Sequence, residues 1–374
     1  MTTESISKFE KHGAFHYGTS SDNLLILGDN LKVLKHIEDE FSGRIQCIYM
    51  DPPYNSCNPF NMFDDFAPQE EWERIMSERL EILWPFLSET GSIWISIDDS
   101  EFADLKVLCD KLWGREHFIL CIVRQKNKYP SSIERPVVHM HDYILVYAKN
   151  PKRVKLHTVE METSKTYSDG TYTLENLLIW ASALNRDQSI GEHIFKVTTP
   201  DGNSIMPPKD RCWSVTYEQY QKMRIDGTIW FDDKSIYPYI RRPAHKNDNI
   251  RPTSLWLEDE VSSNQEARYE IKKYDAGRFF YVPKPEKLLY KILSICTDPG
   301  DWVLDPYLGS GTTAAVSHKM LRNWIGIEQG KNQFFNICIP RLNDVIEGTE
   351  STAVTKMMNW NGGGGFSCIE LKDS

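Results

Sequence analysis

Short apolar runs alternate with helical segments at both ends of this 374-residue chain, and this alternation limits the fold most strongly. Leu24–Leu27, Ile45–Met50 and residues 302–304 are short and apolar enough to be buried strands. Between such runs, segments such as residues 70–87, 101–112 and 332–346 repeat apolar residues at the spacing of one helix face. The alternation predicts an α/β fold, a mostly parallel sheet with helices on both faces.

The alternation stops in the middle of the chain. Residues 151–278 are rich in proline, aspartate, tyrosine and tryptophan and have no clear period. We therefore predict that residues 1–150 form the catalytic half of a sheet domain and residues 279–374 its cofactor-binding half and tail. Residues 151–278 are then an inserted, loop-rich region, and such modules commonly carry recognition.

The sequence DPPYN directly follows the apolar run Ile45–Met50. Asp51 offers a carboxylate as a hydrogen-bond acceptor. Pro52 and Pro53 fix the backbone, so that the carbonyl between them forms a second, rigid acceptor. Tyr54 provides a flat ring on which an extruded base can stack, worth about 1–3 kcal/mol per base. Two acceptors beside an aromatic ring suit the N6 amine of adenine, and a strand-end turn with a chance aromatic is the alternative.

A second motif, DPYLGSGTT, follows the apolar residues 302–304. Gly309 and Gly311 let backbone N–H groups approach a ligand closely, and the helix start after them favours a carboxylate. No phosphate-binding lysine follows, and the spacing is not Gly-x-Gly-x-x-Gly, so an NTPase loop and a nicotinamide cofactor are disfavoured. Glu328 ends the next apolar run, where an acid can accept both hydroxyls of a ribose. The predicted pocket for a nucleoside with a carboxylate-bearing tail, such as S-adenosylmethionine, consists of Asp305, Tyr307, Gly309, Ser310, Gly311, Thr312 and Glu328.

The motifs and their order resemble the β group of amino-directed DNA methyltransferases, in which the catalytic motif precedes the cofactor motif. The chain is most similar to the modification subunits of type III restriction–modification systems. The stretches that carry the resemblance are residues 27–30, 51–55, 91–101, 141–149, 283–285, 304–313, 326–328 and 360–371. The resemblance implies a Rossmann-like methyltransferase fold with circularly permuted motif order.

The resemblance also implies an activity, the transfer of a methyl group from S-adenosylmethionine to adenine N6 in duplex DNA after base flipping. The implied catalytic residues are Asp51, Pro52, Pro53 and Tyr54. Asp29 is expected near the adenine ring of the cofactor, and Phe280 and Lys284 beside the remainder of that molecule. The chemistry requires neither a metal nor a covalent intermediate.

Several alternatives stay open. Cytosine-N4 methylation is one, although cytosine enzymes of this family usually carry serine where Asp51 stands. A DNA-binding subunit with an inactive methyltransferase fold is another, although such proteins usually lose the acid or the glycine loop. RNA or a protein glutamine as substrate is less favoured, because glutamine methyltransferases prefer asparagine at this position. The Gly-Ser-Gly spacing opposes an oxidoreductase.

Net charge alone does not predict DNA binding, because the chain carries a formal charge of −10. Contact with phosphates depends on local patches rather than on net charge. Basic residues cluster between residues 124 and 155 and again between residues 241 and 251. From these clusters we expect DNA contacts at Lys126, Lys128, Arg135, Arg241 and Arg242.

The eight cysteines are scattered and form no Cys-x-x-Cys pair. Cys47, Cys121, Cys296 and Cys338 lie in apolar runs, which predicts packed thiols rather than disulfides or zinc ligands. The N-terminal residues lack an apolar secretion segment, so a cytoplasmic protein without membrane contact is expected. The resemblance implies a homodimer and a restriction subunit as partner. The chain is shorter than type III modification subunits, which leaves a solitary methyltransferase open.

Overall fold

The computed structural model describes residues 15–19, 21–56, 67–129, 137–160, 164–167, 170–184, 189–231, 236–243, 249–274 and 283–371. The chain divides into two compact units. Met1–His157 and Pro252–Ser374 form one unit, and Thr158–Arg251 forms the other. The second unit is therefore shorter than the predicted insertion of residues 151–278, since the chain from Pro252 onward belongs to the sheet unit.

Ten strands build the sheet of the first unit within the described residues. In chain order they are β1 (Phe15–Gly18), β2 (Leu24–Leu27), β3 (Ile45–Met50), β4 (Leu87–Ile97), β5 (Phe118–Gln125), β6 (His141–Ala148), β7 (Leu255–Trp256), β8 (Trp302–Asp305), β9 (Asn323–Glu328) and β10 (Gly365–Glu370). They lie in the order β1-β10-β2-β9-β8-β3-β4-β6-β5-β7.

Most neighbouring strands are parallel. Every pair from β10 to β4 is parallel, and so is the pair of β5 with β7. β6 runs antiparallel to both of its neighbours, and β1 runs antiparallel to β10. Every residue of β2 and β3 is buried, as expected of parallel strands that are covered on both faces. The prediction of an α/β fold with a mostly parallel sheet is confirmed.

The helices of this unit connect and cover the strands. In chain order they are α1 (Asn30–Phe41), α2 (Gln69–Leu83), α3 (Phe102–Trp113), α4 (Glu258–Val261), α5 (Asn264–Ile271), α6 (Glu286–Cys296), α7 (Thr312–Lys319), α8 (Lys331–Gln333), α9 (Ile339–Glu347) and α10 (Ala353–Met357). Helices α1, α2 and α3 share one apolar core with Ile48 and Leu304 of the sheet. On the opposite face, Cys296 of α6 meets Cys47 of β3.

Two predicted helices differ from the observed ones. The spacing predicts one helix over residues 70–87, but α2 ends at Leu83 and a 3₁₀ turn, Trp84–Phe86, follows. Pro85 has no N–H to continue the helix. The predicted helix over residues 332–346 contains a π-helical segment, Phe334–Cys338, between α8 and α9.

The unit Thr158–Arg251 has its own small core, which includes Leu177, Trp213 and Tyr220. Its largest sheet has four antiparallel strands: Ile229–Trp230, Tyr239–Pro243, Gly170–Asn176 and Ser164–Tyr167. Three strand pairs elsewhere in this unit join Leu178–Trp180 with Arg211–Trp213, Val197–Thr198 with Ser204–Ile205, and Val159–Glu160 with Asn249–Ile250. One α-helix, Tyr217–Ile225, is present in the described part, together with the 3₁₀ turns Ala181–Ala183 and Ile190–His193.

Three further observations concern the part of the chain that the structure describes. Cys47, Cys296 and Cys338 are buried and Cys121 is half-buried, all as free thiols. No described helix is both long enough and apolar enough to span a bilayer. The described histidine, cysteine and acidic side chains form no group of three or more that could hold a metal ion.

Candidate active site

Neighbouring strands bring the predicted site residues to one edge of the sheet. β3 and β8 are parallel, with Ile48 opposite Leu304. β9 lies on the other side of β8, and β2 lies beside β9. The turns that begin at Asp51 and Pro306 therefore leave adjacent carboxyl ends, where open α/β sheets bind ligands.

The Asp51 carboxylate is held by two side chains. The Lys284 ammonium lies 2.6 Å from each of its oxygens, and the Tyr54 hydroxyl donates to Oδ1 at 2.9 Å. Lys284 is 6% exposed, whereas Asp51 keeps 21% of its side chain exposed. The ammonium also lies 5.1 Å from the centre of the Tyr54 ring. Asp51 is therefore oriented from within the protein and remains accessible from outside.

Two residues for which the sequence predicted no role in the site, Trp72 and Glu101, fix the rest of this turn. The Trp72 indole N–H of α2 donates to the Pro53 carbonyl at 3.0 Å. Asn55 adopts a left-handed backbone conformation with φ of 51°, and its amide donates to the buried Glu101 carboxylate at 2.7 Å. Trp72 and Glu101 are 19 and 46 positions away from their partners, so no local pattern indicates these contacts.

Glu328 fastens the glycine turn from the end of β9. Its two carboxylate oxygens accept the backbone N–H groups of Gly309 at 2.8 Å and Gly330 at 2.6 Å. Burial raises the pKa of Glu328 to about 7, although these hydrogen bonds oppose the change. Gly309 and Gly311 have φ values of 58° and 78°, which suit glycine.

Asp305 supports the same turn from the end of β8. It accepts a hydrogen bond from the Thr313 hydroxyl at 2.5 Å and one from the Tyr307 N–H at 2.9 Å. Burial raises the pKa of Asp305 to about 7. The Tyr307 ring packs against the apolar core, and its hydroxyl lies 3.9 Å from the Met76 sulfur.

Ser310 and Thr312 are tied to Lys284 and to a buried arginine. The Thr312 hydroxyl donates to the Lys284 carbonyl at 3.0 Å and lies 3.0 Å from the Ser310 hydroxyl. Arg341 donates to the Ser310 carbonyl at 3.1 Å and to the Thr312 hydroxyl at 3.0 Å. Lys284 thus contacts the Asp51 carboxylate through its side chain and the glycine turn through its backbone.

Arg341 belongs to a fully buried ionic cluster behind the glycine turn. Its guanidinium lies 2.8 Å from Glu286, and Lys319 lies 2.6 Å from both Glu286 and Glu350. Burial opposes ionisation of Glu286, but Lys319 and Arg341 lower its pKa below the usual value. Each charge in this cluster has a partner of opposite sign, as buried charges require.

Asp29 lies at the end of the strand that neighbours β9. It caps α1 by accepting the Lys32 N–H at 3.1 Å, and it pairs with Arg79 at 3.1 Å. Arg79 also donates to Asn30 at 2.7 Å, and the Asn30 amide donates to the Pro306 carbonyl at 3.0 Å. Asp29 is thereby linked to the start of the glycine turn through Arg79 and Asn30, neither of which was predicted.

The residues expected to contact DNA occupy different environments. Arg241 is buried, with its guanidinium over the rings of Tyr172 and Trp230, whereas Arg242 is exposed beside Glu175. This difference follows from the strand, because consecutive side chains point to opposite faces.

Lys126 and Lys128 differ in the same way. The Lys126 ammonium lies 2.6 Å from the buried Asp142 carboxylate, while Lys128 is exposed, 3.6 Å from Glu258. Lys126 and Arg241 therefore have roles within the fold and do not offer free charges to phosphates. Two further predicted site residues, Arg135 and Phe280, lie outside the described residues.

Comparison with known proteins gives the family of this chain. The family model described as DNA methylase, of the N6 and N4 type, matches residues 45–337. The type III restriction-modification enzyme HindVI Mod subunit of Haemophilus influenzae is 31% identical over 98% of this chain and 56% of its own length. The StyLTI Mod subunit of Salmonella typhimurium is 29% identical over 88% of this chain and 54% of its own length.

A type II relative matches over a larger part of its length. M.KpnI of Klebsiella pneumoniae is 26% identical over 88% of both chains. In contrast, this chain spans about half the length of the two type III relatives. The match to the family model covers most of the chain, and the resemblance drawn from the motifs is confirmed. The chain belongs to the N6/N4 DNA methylase family.

Proposed function

We propose that this chain transfers a methyl group from S-adenosylmethionine to the N6 amine of adenine in duplex DNA. The observation that carries the proposal is that one residue, Lys284, contacts both turns. Lys284 binds the Asp51 carboxylate with its ammonium and accepts the Thr312 hydroxyl with its carbonyl. A methyl-donor site at the glycine turn would therefore adjoin the acceptor groups at Asp51.

The glycine turn has the groups that S-adenosylmethionine requires. Each Glu328 oxygen accepts one backbone N–H, and a carboxylate oxygen can accept a further bond, so the ribose hydroxyls have acceptors. The raised pKa of this buried carboxyl supports the assignment, because hydroxyl donors would stabilise its charge. We assign Asp29 and Tyr307 to the adenosine side of the same pocket. When bound, S-adenosylmethionine supplies an electrophilic methyl group on a positively charged sulfur.

Asp51 and the Pro52 carbonyl prepare the amine as a nucleophile. The nitrogen lone pair of adenine N6 is delocalised into the ring, and donation of both N–H groups to these acceptors favours a pyramidal nitrogen. Among the described residues, Asp51 Oδ1 has two donors and Oδ2 has one, which leaves Oδ2 better able to accept the amine. The protein chiefly contributes alignment and electrostatics.

Tyr54 provides the platform for the flipped base. Its hydroxyl is bonded to Asp51, so the ring and the carboxylate are held together. Burial raises the pKa of Tyr54 well above its usual value, so the hydroxyl remains a donor. Extrusion of the base costs a few kcal/mol, and stacking on Tyr54 offsets part of that cost.

The remaining parts of the proposal concern the target and the partners. The acid at position 51 supports adenine over cytosine. We assign DNA reading to the unit Thr158–Arg251, with Arg242 as an exposed phosphate contact, and we assign a further exposed phosphate contact to Lys128 of the sheet unit. The type III relatives are named as Mod subunits of restriction-modification enzymes, which supports binding to a restriction subunit. We further propose a homodimer in the cytoplasm, testable by light scattering and by fractionation of cells.

Transfer of tritiated methyl groups to duplex DNA tests the function. The protein is incubated with labelled S-adenosylmethionine and DNA of mixed sequence, and the DNA is digested to nucleosides. We expect the label in N6-methyldeoxyadenosine, with Asp51→Ala as the inactive control. Label in N4-methyldeoxycytidine would show that the target base is cytosine and not adenine. Absence of any label in DNA would reject the proposed function.

A further inference from the structure

We infer that Trp72 is a positioning residue for methyl transfer. Its hydrogen bond to the Pro53 carbonyl fixes the direction of that carbonyl, and this orients the Pro52 carbonyl toward the amine. This inference rests on the proposed function, in which the Pro52 carbonyl accepts one N–H of the target base. Trp72 lies in the first turn of α2 and is 4% exposed. Its indole N–H donates to the Pro53 carbonyl at 3.0 Å.

The two prolines make this single hydrogen bond unusually effective. The peptide planes that carry the Pro52 and Pro53 carbonyls are related only by φ and ψ of Pro53. The proline ring fixes φ at about −65°. Once Trp72 holds the Pro53 carbonyl, one torsion is left to set the direction of the Pro52 carbonyl. A contact with one carbonyl therefore controls the next.

The Pro52 and Pro53 carbonyls also differ in their partners. Within the described chain, the Pro53 carbonyl accepts the Trp72 indole, and no hydrogen bond to the Pro52 carbonyl is observed. The Pro52 carbonyl thus keeps its full accepting capacity for a substrate. Because Trp72 binds the Pro53 carbonyl, the Pro52 carbonyl is the one that can accept a hydrogen bond from the substrate.

A second contact from the start of α2 restrains the other side of the turn. Gln69 donates to Glu101 at 2.8 Å, and Glu101 accepts the Asn55 amide at 2.7 Å. The Asn55 side chain in turn accepts the Ala67 N–H at 2.9 Å, just ahead of the helix. The first turn of α2 therefore holds the chain on both sides of Tyr54, and Trp72 provides the contact nearest to the reacting groups.

Removal of the indole N–H should slow the reaction without weakening the binding of S-adenosylmethionine. Trp72→Phe keeps an aromatic ring in the core and removes the donor. Because a displacement of the reacting groups by about 1 Å can slow a reaction about 10²-fold, we expect kcat to fall about 10- to 100-fold. The affinity for S-adenosylmethionine, measured by calorimetry, and the KM for DNA should stay as in the unmodified protein.

Trp113 provides a matched control. It lies in the same apolar core and is 6% exposed, and its indole nitrogen makes no hydrogen bond within the described residues. Trp113→Phe therefore removes a buried indole that does not touch the catalytic turn, and kcat should be retained. Thermal unfolding of both variants shows how far each change affects stability alone.

The outcomes separate the inference from the proposed function. Equal kcat for Trp72→Phe and the unmodified protein would overturn the role of Trp72, as would equal losses in the two tryptophan variants. Absence of transfer by the unmodified protein would remove the proposed function and the inference with it. If Trp72→Phe does not fold, 3-benzothienylalanine at position 72 repeats the test, because sulfur replaces the N–H at nearly constant ring volume.

Discussion

The two turns of the candidate site are held in different ways. The turn after β8 is held by Glu328 and Arg341, which lie 19 and 31 positions further along the chain and are both buried. The turn after β3 is held by Trp72, Glu101 and Lys284, which lie 19, 46 and 233 positions from their partners, and its own carboxylate is partly exposed. The first arrangement suits a pre-formed pocket for a small ligand. The second suits a group that must admit a base carried by a duplex.

The largest expected effect is on stability, at the buried ionic cluster behind the glycine turn. Arg341→Met leaves Glu286 and Glu350 with one fewer cation, and breaking a buried pair costs about 3–5 kcal/mol. Urea denaturation measures this loss of unfolding free energy. Lys331→Met is the control, because its ion pair with Glu370 is exposed and contributes little. Equal stability of the two variants would show that the cluster does not hold the turn.

Loss of the Asp51 carboxylate, to which we assign the catalytic role, should impair methyl transfer without impairing cofactor binding. Asp51→Ala removes an acceptor for the amine but no group of the glycine turn, so transfer should fall by at least about 10²–10³-fold. The affinity for S-adenosylmethionine, measured by calorimetry, should be retained. Asp104→Ala, at an exposed position of α3, controls for loss of an acidic side chain. A parallel loss of transfer and cofactor affinity in Asp51→Ala would contradict the division between the turns.

Substitution of Glu328 is expected to weaken the binding of S-adenosylmethionine. Glu328→Ala removes the proposed acceptor for the ribose hydroxyls, and a hydrogen bond to a charged group contributes about 1.5–3 kcal/mol. The dissociation constant of S-adenosylmethionine should increase accordingly, and saturating ligand should restore part of the rate. If this variant bound S-adenosylmethionine with unchanged affinity, Glu328 would not be the acceptor for the ribose hydroxyls.

The smallest expected effect is a pH dependence of cofactor binding. Burial raises the pKa of Glu328 to about 7, so the carboxyl of the ligand-free protein is protonated below that pH. Hydroxyl donors bind the ionised form better, so affinity should rise with pH up to about 7 and level off above it. Asp305 also has a pKa raised by burial to about 7. Glu328→Gln separates the two groups, since a pH dependence that persists in this variant would belong to Asp305.

Much of the fold could be predicted because its signals are local. The apolar runs of β2 and β3 coincide with the observed strands, since buried parallel strands have continuous apolar sequence. Boundaries differed where a single residue overrides the pattern, as Pro85 does after α2. The compact unit Thr158–Arg251 is shorter than the predicted insertion, because β7, α4 and α5 are short elements of the sheet unit whose sequence has no clear period.

The candidate site could be predicted only in part. Both turns are contiguous motifs, so their residues and their neighbouring strands were accessible from the sequence. The Lys284–Asp51 pair, the Trp72 bond and the Arg341 contacts depend on tertiary approach and leave no local pattern. The opposite environments of Arg241 and Arg242 become evident only once both are placed on one strand.

A crystal structure with S-adenosylmethionine bound would test most directly whether the two turns form one active site. The target nitrogen has to lie about 2.9 Å from an Asp51 oxygen and about 3–3.5 Å from the donor methyl carbon. We therefore predict that the methyl carbon lies within about 6.5 Å of Asp51, with the ribose on Glu328. A methyl carbon well beyond about 6.5 Å from Asp51, or a ribose that does not contact Glu328, would contradict this arrangement.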